Sequence, residues 1–439
     1  MLQARPLDNR QLPIREIAES LALDESSFDL YGRYAAKLSI DRSHGHADPP
    51  RGKYVGVTAV SPTPFGEGKT VVAIGLAMGL SRLGHRSIAT LREPSLAPVF
   101  GIKGGGAGGG RSFLFPEEDI NLHFTGDLHA VTAANNLLAA MTDNHCQRGL
   151  APRIDPHRIT WRRVIDVSDK GLAHVETGLD QPRQAPRRET GFDLTAASEV
   201  MSVLGLAGDI ADMRERLGRI VVAHDHNGQP VSAEEIGAAG AMAALLRNAL
   251  RPNLVQTSEQ TPAIVHTGPF ANISHGNSSV IADRVALGLA DFVVTEGGFG
   301  ADLGAEKFFD IKCRAGGLRP QAEVLVCTVR ALKFQSGRFD VRPGRELPAE
   351  LLAEDPEALR AGSVNLAGHL EILRQFGLPA VVAINRFPTD TQRELDLAVQ
   401  LARDFGAEHV AVVEAFNHGG AGAHELAQAV VAACSQPDR

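Results

Sequence analysis

Thr63-Pro64-Phe65-Gly66-Glu67-Gly68-Lys69-Thr70 brings together glycines, a lysine and a hydroxyl side chain in one short loop. Those residue types suit phosphate chemistry. Backbone N–H groups of such a loop and of a following helix can face an anion. Lys69 can reach the β- and γ-phosphates of a nucleotide, and the Thr70 hydroxyl can sit on Mg²⁺. The usual pattern begins with glycine where this chain has Thr63, so the strict motif misses by one residue. The bland alternative is a glycine-rich turn with a solvated lysine.

Other groups lie where they can join that chemistry. Arg92 follows the next apolar run and can hold a carboxylate or acyl phosphate through a two-pronged contact. Asp302 and Glu306, in a loop that begins at Glu296, are candidates to hold Mg²⁺ or its waters. Asn385 and Asp390 follow a late strand and are placed to read a nucleotide base or a second ligand, with an Asx-turn as the alternative. The run 101–110 holds seven glycines in ten residues and reads as a ligand-facing loop. His123, Asp127 and His129 stand near a helix start, where catalysis, metal binding or simple capping by Thr125 or Asp127 all fit. His44 and His46 fall in a polar linker and read as a solvated pair. Trp161 reads as a packing residue, and Cys146, Cys313, Cys327 and Cys434 have no paired metal spacing. Phosphoryl transfer is mostly positioning and charge neutralisation by Lys, Mg²⁺ and Arg. The residues therefore describe an ATP-using kinase, ligase or ATPase and leave its substrate open.

The elements that must position these groups follow from apolar periodicity. A strand over Tyr54–Val60 leads into the loop, and a helix over about 70–83 leads out. Short apolar runs at 86–91, 292–295, 324–329, 380–384 and 409–413 each end in a polar loop. Such runs alternating with helices imply an α/β fold, P-loop NTPase-like, with a mostly parallel sheet and helices on both faces. Ligands then bind outside the carboxyl ends of the strands. The expected organisation is an N-terminal helical extension over 1–50, a discontinuous nucleotide-binding domain over 51–150 and 286–435, and an inserted α/β domain over 151–285. A hairpin at 220–230 turning at Asn227-Gly228 belongs to that insert.

The 439 residues carry a net charge of −8, which argues against general nucleic-acid binding. No apolar run approaches the roughly 18 residues of a membrane span, and no secretion signal is evident. A cytoplasmic enzyme acting on small molecules is expected.

Longer segments carry a resemblance. TPFGEGKT, LREPSLAPVFGIKGGGAGGG, EDINLHFTGDLHAVTAANNLLAAMTDNH, GPFANISHGNSS, TEGGFGADLGAEKFFDIKCR, TVRALK, VVAINRFPTDT and FNHGG lie in order over most of residues 50–425. In these the chain resembles the formate–tetrahydrofolate ligase family, in which the first segment is written TPxGEGKT, so Thr63 is no defect. The resemblance implies Mg-ATP, formate activated as formyl phosphate, and capture of the formyl group by N10 of tetrahydrofolate. It implies that Thr63–Thr70 and Lys69 hold phosphates and Arg92 holds formyl phosphate. It also implies a homo-oligomer, dimer or tetramer, and a monovalent cation. Arg111 stands where the family has tyrosine near the reacting formyl group, and Phe416 is assigned with it to the acceptor site. The family continues into a C-terminal domain beyond the point matching Arg439. A shortened, diverged member is therefore expected, with a paralogue using another carboxylate or amine acceptor, or a nucleotide-binding regulator, as alternatives.

Overall fold

The computed structural model of the chain describes residues 11–40, 52–100, 106–179, 185–342 and 344–435. Strand Lys53–Ala59 lies inside a twelve-stranded sheet. Ten of these strands run side by side in the order Phe28–Leu30, Ala36–Leu38, Asn253–Thr257, Pro262–Val265, Ser87–Leu91, Phe292–Glu296, Lys53–Ala59, Ala322–Cys327, Ala380–Asn385, His409–Val413. From Pro262–Val265 onward every neighbouring pair is parallel, and the pairs before it are antiparallel. The α/β expectation of a large, mostly parallel sheet between helices holds.

Alternation along the strands explains the two faces. Val55, Val57 and Ala59 point to one face, where helices Lys69–Arg82 and His424–Ala433 cover them. Tyr54 and Val60 point to the other, where helices Val280–Leu289, Val364–Gln375 and Gln392–Asp404 pack. Parallel strands buried on both faces read as continuous apolar runs, which is how they appear in the sequence.

The N-terminal stretch departs from the helical expectation. Helix Ile14–Ser20 is followed by strands Phe28–Leu30 and Ala36–Leu38, which extend the sheet by antiparallel pairing to Asn253–Thr257. The pairing is tertiary, so local sequence did not announce it. The linker over 41–50, with His44 and His46, lies outside the described residues, as do 181–184 of the polar loop expected at 181–188. The block 151–285 is not uniform. Its strands between Ile154 and Ser232 form three small sheets of their own, whereas Asn253–Thr257 and Pro262–Val265 are hydrogen-bonded into the large one. Strands Val221–Asp225 and Pro230–Ser232 make the expected hairpin.

Candidate active site

The chain leaves strands Lys53–Ala59 and Phe292–Glu296 toward opposite faces of the sheet. Helix Lys69–Arg82 packs on one face, and the segment 301–313, wound in π-helical turns, packs on the other. The crevice between two such neighbours is where α/β sheets bind ligands. The loop 61–70 and the loop 296–300 form its walls.

The phosphate-type loop is stapled from within. The Thr63 N–H and hydroxyl both donate to Glu67 Oε1, at 2.7 and 2.8 Å. Thr63 thus does structural work that a glycine could not. Glu67 is buried, and its other oxygen lies 3.8 Å from Lys69 Nζ. Gly66 and Gly68 adopt φ of +73° and +77°, a conformation that other residues enter at a cost. Lys69 opens the following helix. The Thr70 hydroxyl donates to Glu296 Oε2 at 2.8 Å across the crevice. Two hard oxygen donors therefore meet at the loop's end, a set that fits a magnesium ion arriving with phosphate oxygens.

Arg92 emerges from strand Ser87–Leu91 beside these loops. Its guanidinium lies against Gly298, where an added Cβ would come within 3.3 Å of Nη1 and 3.4 Å of Nη2. Nη1 donates to Pro269 O at 3.3 Å, while Nε is buried without a partner. Burial lowers the guanidinium's pKa, and the nearby Glu296 carboxylate opposes that shift. A fork held in this way, with donor capacity left over, is suited to an oxyanion.

The remaining expected residues divide. The Asn385 amide donates to Glu67 O at 3.0 Å and sits under Gly68, so this side chain buttresses the loop. Asp390 is buried and accepts the Phe387 N–H, three residues back, at 2.8 Å, which closes the loop after strand Ala380–Asn385. Burial raises its pKa. Asp302 and Glu306 are exposed on the π-helical segment, and the acid bonded to Thr70 is Glu296 instead. Pro64 is exposed and Phe65 half-buried. Arg111 and Phe416 do meet: the Arg111 N–H donates to Phe416 O at 2.7 Å. The half-exposed Phe416 ring lies over Gly109, where an added Cβ would be 3.2 Å from Cε2. Residues 101–105 of the glycine run lie outside the described residues.

Asp127 neither caps its helix nor faces the crevice. Its carboxylate pairs with buried Lys37 at 2.8 and 2.9 Å and accepts from Asn253 at 2.8 Å. Thr125 donates to Asn253 rather than capping, and the helix begins after Gly126. Trp161 is a buried packing residue whose indole N–H donates to Asn135 O at 3.1 Å. The four cysteines are unpaired, and burial pushes the Cys313, Cys327 and Cys434 thiols up to about 12. Among the described residues no group of three or more His, Cys, Asp or Glu is placed to hold a metal. None of the described helices is long and apolar enough to cross a membrane.

Two residues of the site go beyond the named candidates. Glu296 ends the strand beside the loop strand, and its place before Gly297-Gly298 is a readable signal. Arg330 stacks over the rings of Phe387, 3.5 Å from the centroid, and of Phe65, 5.0 Å away. It joins the phosphate-type loop to the loop after strand Ala380–Asn385, and only the three-dimensional meeting of those loops reveals it.

The model of the family described as formate–tetrahydrofolate ligase matches residues 6–439. The chain belongs to the formate–tetrahydrofolate ligase family. A formate–tetrahydrofolate ligase of Roseiflexus castenholzii is 54% identical over 98% of this chain and 76% of its own length. That of Saccharopolyspora erythraea is 53% identical over 97% and 75%, and that of Desulforamulus reducens 52% over 98% and 76%. Identity at this level over nearly the whole chain lends no support to the expectation of a diverged member.

Proposed function

We propose that this member of the formate–tetrahydrofolate ligase family joins formate to N10 of tetrahydrofolate at the expense of ATP, in a P-loop NTPase-like site. The carrying observation is the Thr70–Glu296 contact beside Lys69 and Arg92, which puts nucleotide-binding and oxyanion-binding groups at one crevice. Loop N–H groups and Lys69 bind the β- and γ-phosphates. Thr70, with Glu296 behind it, holds the magnesium carried by the nucleotide, which supplies charge neutralisation at the phosphates. Arg92 takes the formate carboxylate and then the formyl phosphate.

A formate oxygen attacks the γ-phosphorus and ADP leaves. The N10 amine then attacks the formyl carbon, the C–O bond to phosphate breaks, and the amine gives up its proton. ATP, formate and tetrahydrofolate become ADP, phosphate and the 10-formyl derivative. Arg111 and Phe416 belong to the acceptor side in this reading. Asn385 and Asp390 act by shaping the loops. Asp302 and Glu306 are the more distant candidates for magnesium-bound water. A monovalent cation assists the enzyme in this reading.

In the same reading residues 51–150 and 286–435 form the nucleotide-binding domain, with 151–285 inserted and 253–265 returning to its sheet. The protein acts as a homo-oligomer in the cytoplasm. The paralogue and regulator alternatives are not favoured by 52–54% identity to proteins named for this ligase activity. The test is direct. Purified protein with Mg-ATP, formate and tetrahydrofolate is expected to give 10-formyltetrahydrofolate, and Lys69→Ala to abolish it. Absence of that product from the wild type, with ATP consumed when another acceptor is offered, would overturn the reading.

A further inference from the structure

Ser61 is the second residue after strand Lys53–Ala59 and stands two positions before Thr63. Every polar group it has is held by a side chain from elsewhere. Its N–H donates to Asn365 Oδ1 at 3.2 Å, and Asn365 Nδ2 donates to its Oγ at 2.9 Å. Its Oγ lies 3.0 Å from His369 Nε2. Its carbonyl accepts from Gln335 Nε2 at 3.4 Å. Asn365 and His369 are one helical turn apart on Val364–Gln375 and so share a face. Gln335 is the last residue of helix Val329–Gln335.

The same imidazole also touches the opposite wall. A Cβ added to Gly300 would come within 3.1 Å of His369 Cε1. His369 is 3% exposed, and burial lowers its pKa while Asp302 opposes that shift. Its Nδ1 is buried with no partner. It lines, with Asp302, Gln335, Asn365 and Ile372, a shallow pocket of about 310 Å³ that is open to the surface. One buried ring therefore contacts the start of the phosphate-type loop through Ser61 and packs on the loop that carries Glu296 and abuts Arg92.

We propose that His369, with Asn365, is a positioning residue that acts through Ser61 to hold the phosphate-type loop in register with the 296–300 loop. The proposal rests on the nucleotide-site reading above and adds residues from outside the crevice. Without the contact the walls lose a common reference, and Thr70 and Glu296 meet less well around the nucleotide's metal.

The test uses the reach of two side chains. A glutamine amide extends about as far as Nε2, whereas an asparagine amide stops near Nδ1. His369→Gln is expected to keep Mg-ATP affinity and turnover within about twofold of wild type. His369→Asn and Ser61→Ala are expected each to raise the Mg-ATP dissociation constant and KM about tenfold, by loss of alignment, with KM for the other substrates unchanged. The double variant Ser61→Ala/His369→Asn is expected to be no worse than either single one, the sign of a shared interaction. Equal behaviour of His369→Gln and His369→Asn, or additive losses in the double variant, would overturn the proposal. A wild type that fails to bind Mg-ATP overturns the nucleotide site itself. Variants that bind as the wild type does overturn the positioning role alone.

Discussion

In the proposed reaction Arg92 and Lys69 divide the chemistry between them, and their substitutions are expected to fail differently. Arg92→Lys keeps the charge but loses the fork that lies on Gly298. Its kcat is expected to fall about 10²–10³-fold, with KM for ATP little changed, as when one donor to a developing oxyanion is removed. Steady-state kinetics with formate varied at saturating ATP, and with ATP varied at saturating formate, check this, and a change confined to KM for ATP would contradict it. Glu296→Gln keeps the shape of the Thr70 contact and removes the charge. It is expected to raise the magnesium concentration for half-maximal turnover about tenfold, read from a magnesium titration at fixed ATP. At this scale residue type and spacing singled out groups that the structure brings to one crevice: the loop, Lys69, Thr70 and Arg92. They named Asp302 and Glu306 for the metal because acids in a loop are visible. Glu296 opens the same acidic loop, but its meeting with Thr70 depends on which strand lies beside the loop strand.

Loops meet as elements, and there the sequence was less legible. Arg330 opens a helix after one strand, Phe387 follows another and Phe65 lies in the loop after a third, yet the guanidinium lies over both rings. Arg330→Lys removes the planar stack, worth about 1–2 kcal/mol when partly desolvated. A roughly five- to thirtyfold loss of Mg-ATP affinity by calorimetry is the expected outcome. Asn385 shows the same gap. Its position after a late strand suggested reading a base, but its amide instead supports Glu67 O beneath Gly68. Strand and helix positions in the parallel part of the large sheet were legible because buried parallel strands give unbroken apolar runs. The N-terminal strands were not, since Ala36–Leu38 exists by pairing to Asn253 and Leu254, more than 200 residues away, and its Lys37 is tied to Asp127.

The whole molecule carries buried histidines whose titration is expected to show in its stability. His266 is buried between Ser279 and Ala249, and His275 lies against Gly205; burial lowers both to about 3. Their folded-state pKa lies below the ordinary 6.5, so both states are neutral above that pH and the stability is fully present there. As pH falls from 6.5 toward 3 the unfolded chain takes up protons that the folded one refuses. Each histidine then costs roughly 1.4 kcal/mol per pH unit. Denaturant unfolding of wild type and His266→Gln between pH 7 and 5 reads the effect as the difference between their slopes, and parallel slopes would contradict it. The large sheet sets the crevice, since the chain leaves strands Lys53–Ala59 and Phe292–Glu296 toward opposite faces. What the crevice is for is tested most directly with ¹⁸O-labelled formate, Mg-ATP and tetrahydrofolate. If formate attacks the γ-phosphorus, one formate oxygen stays with phosphorus when the amine takes the formyl group. The account predicts one ¹⁸O in each phosphate released with 10-formyltetrahydrofolate. Unlabelled phosphate, or phosphate released without that product, would contradict it.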